Sequence, residues 1–175
     1  MSTMPASRKK AIVRTLTGTL HSGYLPLSGL LNGEAVELLD LDGRILALPL
    51  KTVRWIAYVR DFNLGDSVDP ERLTRRTFLA RPRAEGLWVR LTMGGGETLE
   101  GLAPLDLSLV DGLLEDRGVY LIPPDIRSNT QRLFVPRSAF TGVQVLAVIT
   151  TPSKPKAGAK PGVRTQQDFA FPEVE

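Results

Sequence analysis

The stretch LIPPDIRSNTQRLFVP, residues 121–136, sets a group of side chains able to bind or react between two strand-like runs. Asp125, Arg127, Asn129 and Arg132 stand there between two apolar runs. A carboxylate, two guanidinium groups and an amide suit recognition of a polar or charged partner, through charge-assisted and bidentate hydrogen bonds. A structural use competes. Pro123 and Pro124 stop an incoming strand because proline donates nothing to a ladder. Asp125, Ser128 and Asn129 can accept from nearby amides and shape a turn. Arg127 and Arg132 have no such task beyond pairing with Asp125. The segment reads first as a structured hairpin connection and second as an interaction loop.

Covalent and metal chemistry find little support. The chain has one histidine, His21, and no cysteine, which removes disulfides, thiolate ligands and a thiol nucleophile. No G-x-S-x-G elbow is present. Gly94-Gly95-Gly96-Glu97 lacks the Gly-Lys-Ser/Thr that completes a phosphate loop, and it lies between two strand-like runs, so a hairpin turn is expected. Neither an enzyme nor a bound metal or cofactor is expected.

Anion binding is the next candidate chemistry. Arg72 and Arg76 stand four apart in a charged segment, followed by Asp106, Ser108 and Gly112. Arginine pairs bidentately with phosphate and stacks on bases. These residues resemble the PilZ pattern, which implies cyclic-dinucleotide binding through Arg72, Arg76, Asp106 and Ser108. The match departs from that pattern, because Asp111 occupies the place of the motif glycine and Gly112 falls one residue late. Nucleic acid is a further candidate partner. Arg8, Lys9, Lys10, the arginines of residues 72–83 and the lysines after residue 153 supply charge. Net charge is only +3, however, and Trp55, Tyr58, Trp88 and Tyr120 lie in apolar runs that suit core packing better than base stacking. The C-terminal DFAFPEVE sets Phe169 and Phe171 among carboxylates, a composition that suits docking on a protein partner.

The elements that must position these groups read as strands. AIVRTLTG, TLHSGYLPL, AVELLDLDG, RILALPL and TVRWIAYVRDF form a first set of five; LWVRLTM, TLEGLAPLD, GVYLIPP, QRLFVP and FTGVQVLAVI form a second. Short β-branched runs punctuated by Gly, Asp, Asn and Pro favour strands over helices. LSLVDGLLEDR is the best helical candidate, weakened by Gly112. The two sets echo one another. Val13-Arg14 and Gly18 are echoed by Val89-Arg90 and Gly94 to Gly96, Leu20 and Gly23 by Leu99 and Gly101. Val36-x-Leu38 is echoed by Val119-x-Leu121, and RILALP by RLFVP. An approximate internal duplication follows. The expected organisation is a first small β-barrel over 11–62, a charged linker over 63–86, a second barrel over 87–150 and a disordered tail over 151–175. No apolar run reaches the ~20 residues of a membrane span, and no apolar stretch follows the basic N-terminus, so a cytoplasmic setting is expected.

The glycine turns at Gly18, Gly23, Gly94 and Gly101, with a second hairpin ending in a β-branched strand, resemble the SH3-like and Sm-like small barrels. The stretches TVRWIAYVRDF and GVYLIPPDIRSNTQRLFVP resemble a bacterial family of unknown function that carries such segments in tandem. That resemblance implies an all-β fold of two five-stranded barrels and a binding or adaptor role, without an activity to transfer. The expected function is a non-catalytic module with a protein partner. A cyclic-dinucleotide or other anion sensor is the second reading, and single-stranded nucleic-acid or RNA binding the third.

Overall fold

A computed structural model describes residues 7–27, 29–62, 84–124 and 128–150. The linker arginines Arg72 and Arg76, the loop residues Asp125 and Arg127, and the tail residues Phe169 and Phe171 lie outside the described residues. Eleven strands run in chain order: β1 (Arg8–Thr15), β2 (Leu20–Pro26), β3 (Leu31–Asn32), β4 (Ala35–Asp40), β5 (Ile45–Pro49), β6 (Val53–Val59), β7 (Gly86–Met93), β8 (Thr98–Ala103), β9 (Gly118–Leu121), β10 (Thr130–Pro136) and β11 (Phe140–Ile149). One helix, α1 (Ser108–Leu114), falls where LSLVDGLLEDR gave the helical candidate. The chain is therefore mostly β.

The strands do not close into two barrels. They form an eight-stranded sheet in the order β3-β4-β2-β1-β6-β10-β9, with β5 paired to β4, and a three-stranded sheet in the order β11-β7-β8. The eight-stranded sheet draws β9 and β10 from the second half of the chain, because β10 pairs antiparallel with β6, setting Leu133 opposite Ala57 and Phe134 opposite Ile56. The two sheets meet at one bridge, Leu102 to Ile122.

β6 explains the join. Trp55, Ala57 and Val59 belong to one core cluster, with Leu91, Leu99, Leu121, Leu133 and Val135 of the second half. Ile56 and Tyr58, on the other face, belong to a cluster with Val13, Leu25, Val36 and Leu38 of the first half. Successive side chains of a strand point to opposite faces, so a strand covered on both faces must be apolar throughout. The run from Trp55 to Val59 meets that requirement, while Arg54 before it reaches Glu97 at the rim.

The pairings within each half follow the same order. In the first half β6 pairs β1, β1 pairs β2, β2 pairs β4 and β4 pairs β5. In the second half β11 pairs β7, β7 pairs β8, β8 bridges to the residue after β9, and β9 pairs β10. A bulge interrupts β1–β6 where Arg14 meets Trp55 and Thr15 meets Val53; it interrupts β7–β11 where Thr92 meets Gly142 and Met93 meets Phe140. Pro49 and Pro136 each precede a 3₁₀ turn, Leu50–Thr52 and Arg137–Ala139. By register, Val13 corresponds to Leu91 and Arg14 to Thr92, two positions from the Val89-Arg90 echo read in the sequence.

Glycines stand where backbones touch. A Cβ on Gly23 would meet the Leu39 carbonyl oxygen, and one on Gly101 would lie 2.8 Å from Leu121 Cβ. Gly112 is a poor helix former, yet a Cβ there would strike the Gly118 carbonyl. Close packing of α1 on the start of β9 thus accounts for the residue that weakened the helical reading.

Tyr58 adds a pH-dependent contribution. Its hydroxyl donates to the Pro26 carbonyl at 2.7 Å, and burial pushes the phenol from 10.0 up to about 12. A phenol that holds its proton more tightly when folded gives stability that is complete below pH 10.0 and is lost as pH rises through about 12. Unfolding free energy should therefore fall more steeply across that window in the wild type than in Tyr58→Phe, as read by urea titration at stepped pH. Identical slopes would contradict the burial account.

Candidate functional site

The two 3₁₀ turns come together at one mouth of the molecule. The first half contributes the β3–β4 turn, where Gly33 has φ of 64°, and the segment Pro49-Leu50-Lys51, tied to that turn by the Leu50 amide donating to the Glu34 carbonyl at 2.8 Å. The second half contributes Asp116 and Arg117 after α1, Arg137 and Ser138 of the second 3₁₀ turn, and Phe140 at the start of β11. Here the Arg137 amide donates to the Arg117 carbonyl at 3.2 Å. Between them lies an open groove of about 950 Å³ lined by these residues. That volume is of the size that holds a small molecule or a short peptide.

Its electrostatics are mixed. Arg137 donates from Nη1 to the Phe140 carbonyl at 2.9 Å, lies with its guanidinium 5.1 Å from the centre of the Phe140 ring, and has Nε 3.7 Å from Asp116 Oδ1. These contacts fix it as part of the wall. Arg117 reaches Glu115 at 3.0 Å, an exposed pair of little strength. Lys51 has no ion-pair partner among the described residues. Leu31, Leu50 and Phe140 supply the apolar lining. Asp116 is the one non-glycine residue with positive φ among the described residues, at 55°, and so turns the chain sharply from α1 toward Arg117.

The four described candidates from the sequence, Asp106, Ser108, Asn129 and Arg132, fall elsewhere and have structural partners. Asp106 Oδ1 accepts the Ser108 amide at 2.9 Å, and its hydrogen bonds with Ser108 hold this carboxyl below its usual range. The Asp-x-Ser pair thus forms the turn that opens α1. Asn129 is buried; its Oδ1 accepts the Asp61 amide at 3.0 Å, and its Nδ2 donates to the Asp61 carbonyl at 2.8 Å. It prolongs the β6–β10 pairing with a side chain. Arg132 lies with its guanidinium 4.0 Å from the centre of the Tyr120 ring, and Tyr120 in turn packs on Phe134. Asn129 and Arg132 therefore belong to the seam, away from the groove. Gly94 to Gly96 form the β7–β8 turn, and Glu97 after them pairs with Arg54 at 3.1 Å. Trp55, Tyr58 and Trp88 are buried, as expected for core packing rather than stacking on bases. His21 lies on β2, opposite Val13.

Lys51, Arg117 and Arg137 escape sequence reading because two turns more than sixty positions apart assemble them. The one local signal is the proline before each turn, at Pro49 and Pro136. Among the described residues no group of three or more His, Cys, Asp or Glu is placed to hold a metal, and no helix is long and apolar enough to cross a membrane.

A two-sheet β protein with an open groove between its halves is the class these features define. Residues 7–147 match a family of unknown function, DUF6982, and the chain belongs to that family. Comparison with curated proteins and with solved structures found no match.

Proposed function

We propose that the protein is a non-catalytic binding module whose groove takes an extended segment of a partner protein carrying carboxylate and aromatic side chains. The groove itself carries this reading: Lys51, Arg117 and Arg137 stand around an apolar lining of Leu31, Leu50 and Phe140. Aromatic anchors in an apolar recess, steered by cations at its rim, are a common mode of peptide capture. The chain's own DFAFPEVE belongs to that chemical class and serves as a probe. The shared order of pairings, the shared bulge and the proline before each 3₁₀ turn support the further reading that the halves are two copies of one SH3-like or Sm-like unit. Absence of cysteine suits a reducing compartment such as the cytoplasm. Cyclic-dinucleotide binding depends on Arg72 and Arg76 outside the described residues, and nucleic-acid binding has lost most of its aromatics to the core, so the groove favours a peptide.

Fluorescence anisotropy with a labelled DFAFPEVE peptide tests the reading. Saturable binding is expected, weakened about tenfold by Lys51→Glu combined with Arg117→Glu, equivalent to about 1.4 kcal/mol. Binding that ignores this charge reversal, or no binding at all, rejects the reading.

A further inference from the structure

The chain contains a strand junction whose matching halves are left open at its own edges. Inside the molecule, β10, the strand before one 3₁₀ turn, pairs with β6, the strand after the other, and this seam joins the halves. By register, β5 occupies in the first half the place of β10, and β11 in the second half the place of β6. Within the described residues β5 pairs only with β4, and β11 only with β7. Each therefore presents one free edge.

The composition of those edges suits pairing. β11 runs for ten residues, FTGVQVLAVI, without a charge. Edge strands are ordinarily protected by charge, proline or short length, because a bare edge templates addition of another strand. β5, ILALP, has no charge either, and its proline stands at the end. Transferring the β6–β10 register to the open edges places Ile45 of β5 opposite Val145 of β11, where the internal seam has Arg132 opposite Tyr58. Ile45 and Val145 are 63% and 54% exposed, unusual for β-branched residues on strands. Each would bury the other as a cross-strand pair.

We infer that the chain assembles head to tail with further copies of itself, β5 of one copy adding antiparallel to β11 of the next in the register of the internal β6–β10 seam. The occupant is a second copy because the molecule already shows the junction made between these two strand types. Such an interface is heterologous: it closes into a ring or extends as a chain, according to the rotation between copies.

Light scattering coupled to size-exclusion chromatography tests this on the full chain. Wild type should have a mass that is a multiple of 19.1 kDa and rises with concentration until assembly is complete. Ile45→Lys and Val145→Lys should each give single chains, since either substitution spoils every junction. Mixing the two variants should restore one junction, from the intact β5 of one and the intact β11 of the other, giving a 1:1 dimer. That complementation requires both variants to be folded, so misfolding cannot imitate it. A wild-type mass of one chain overturns the inference. So does a loss of assembly in Val145→Lys alone, which would mean β11 pairing with β11, or a mixture that stays monomeric.

Discussion

Replacing Glu100 by alanine should lower the unfolding free energy by about 2–3 kcal/mol, among the largest losses available from one polar side chain. Glu100 is buried in β8, and its carboxylate accepts from Arg90 Nε at 2.9 Å, from Arg90 Nη2 at 2.7 Å and from Trp88 Nε1 at 3.2 Å. Removing it takes the carboxylate acceptor from a guanidinium and an indole N–H beside the cluster of Trp88, Leu102 and Ile149. Breaking a fully buried ion pair costs about 3–5 kcal/mol, but the Arg90 side chain is 34% exposed and can turn partly to water, hence the lower figure. The double variant Arg90→Met with Glu100→Leu removes both charges and should recover most of the loss. Urea denaturation of the two singles and the double measures the coupling. A loss under about 0.5 kcal/mol for Glu100→Ala, the range of ordinary surface changes, would contradict the account.

Gly118→Ala should cost more, about 4 kcal/mol, from positive-φ strain and overpacking together. Gly118 opens β9 with φ of 138°, and a Cβ there would meet the Val135 carbonyl oxygen, with Pro136 Cα at 2.8 Å and Phe134 Cζ at 2.9 Å. Two of those three atoms are backbone of the paired strand, which cannot step aside without opening the β9–β10 ladder. Gly18→Ala makes the control. Gly18 has φ of 90°, but nothing lies within 4 Å of a Cβ placed there, so only conformational strain of about 1–2 kcal/mol is expected. Thermal unfolding of the two variants separates strain from collision. Equal losses would mean that the packing around Gly118 contributes nothing.

Strand positions were legible, because β-branched runs broken by Gly, Pro and Asp need no partner to be recognised: TVRWIAYV, GVYL and FTGVQVLAVI all lie on strands. Correspondences anchored by proline were legible too, as RILALP and RLFVP fall on β5 and β10. Pairing across the halves was not. Period-two alternation assigns side chains to faces, and nothing in TVRWIAYV says that β10 lies beside it on the side away from β1 of its own half. Each set of five does pair within itself; what the expectation of two separate barrels leaves out is the join of β6 to β10, which brings strands of both halves into one sheet. Its clue is the run from Trp55 to Val59, apolar on both faces. Glu100 carries no signal in the sequence, because an acidic residue in TLEGLAPLD suits a solvent-facing strand position until the β7–β8 register places Arg90 opposite it. Asp106, Ser108 and Asn129 are residue types that bind ligands, and here the same hydrogen-bonding capacity goes into a turn and a strand end. The groove residues share no local motif, since an apolar lining from one turn and an arginine from another become a site only when the halves meet.

Backbone amide shifts on titration with the DFAFPEVE peptide, followed by heteronuclear NMR of the labelled full chain, test the central claim most directly. The groove account predicts saturable shifts concentrated at Gly33, Glu34, Leu50, Lys51, Arg117 and Ser138, and their loss in Lys51→Glu with Arg117→Glu. Shifts concentrated instead around Arg132 and Tyr120, along α1, or nowhere, would contradict it.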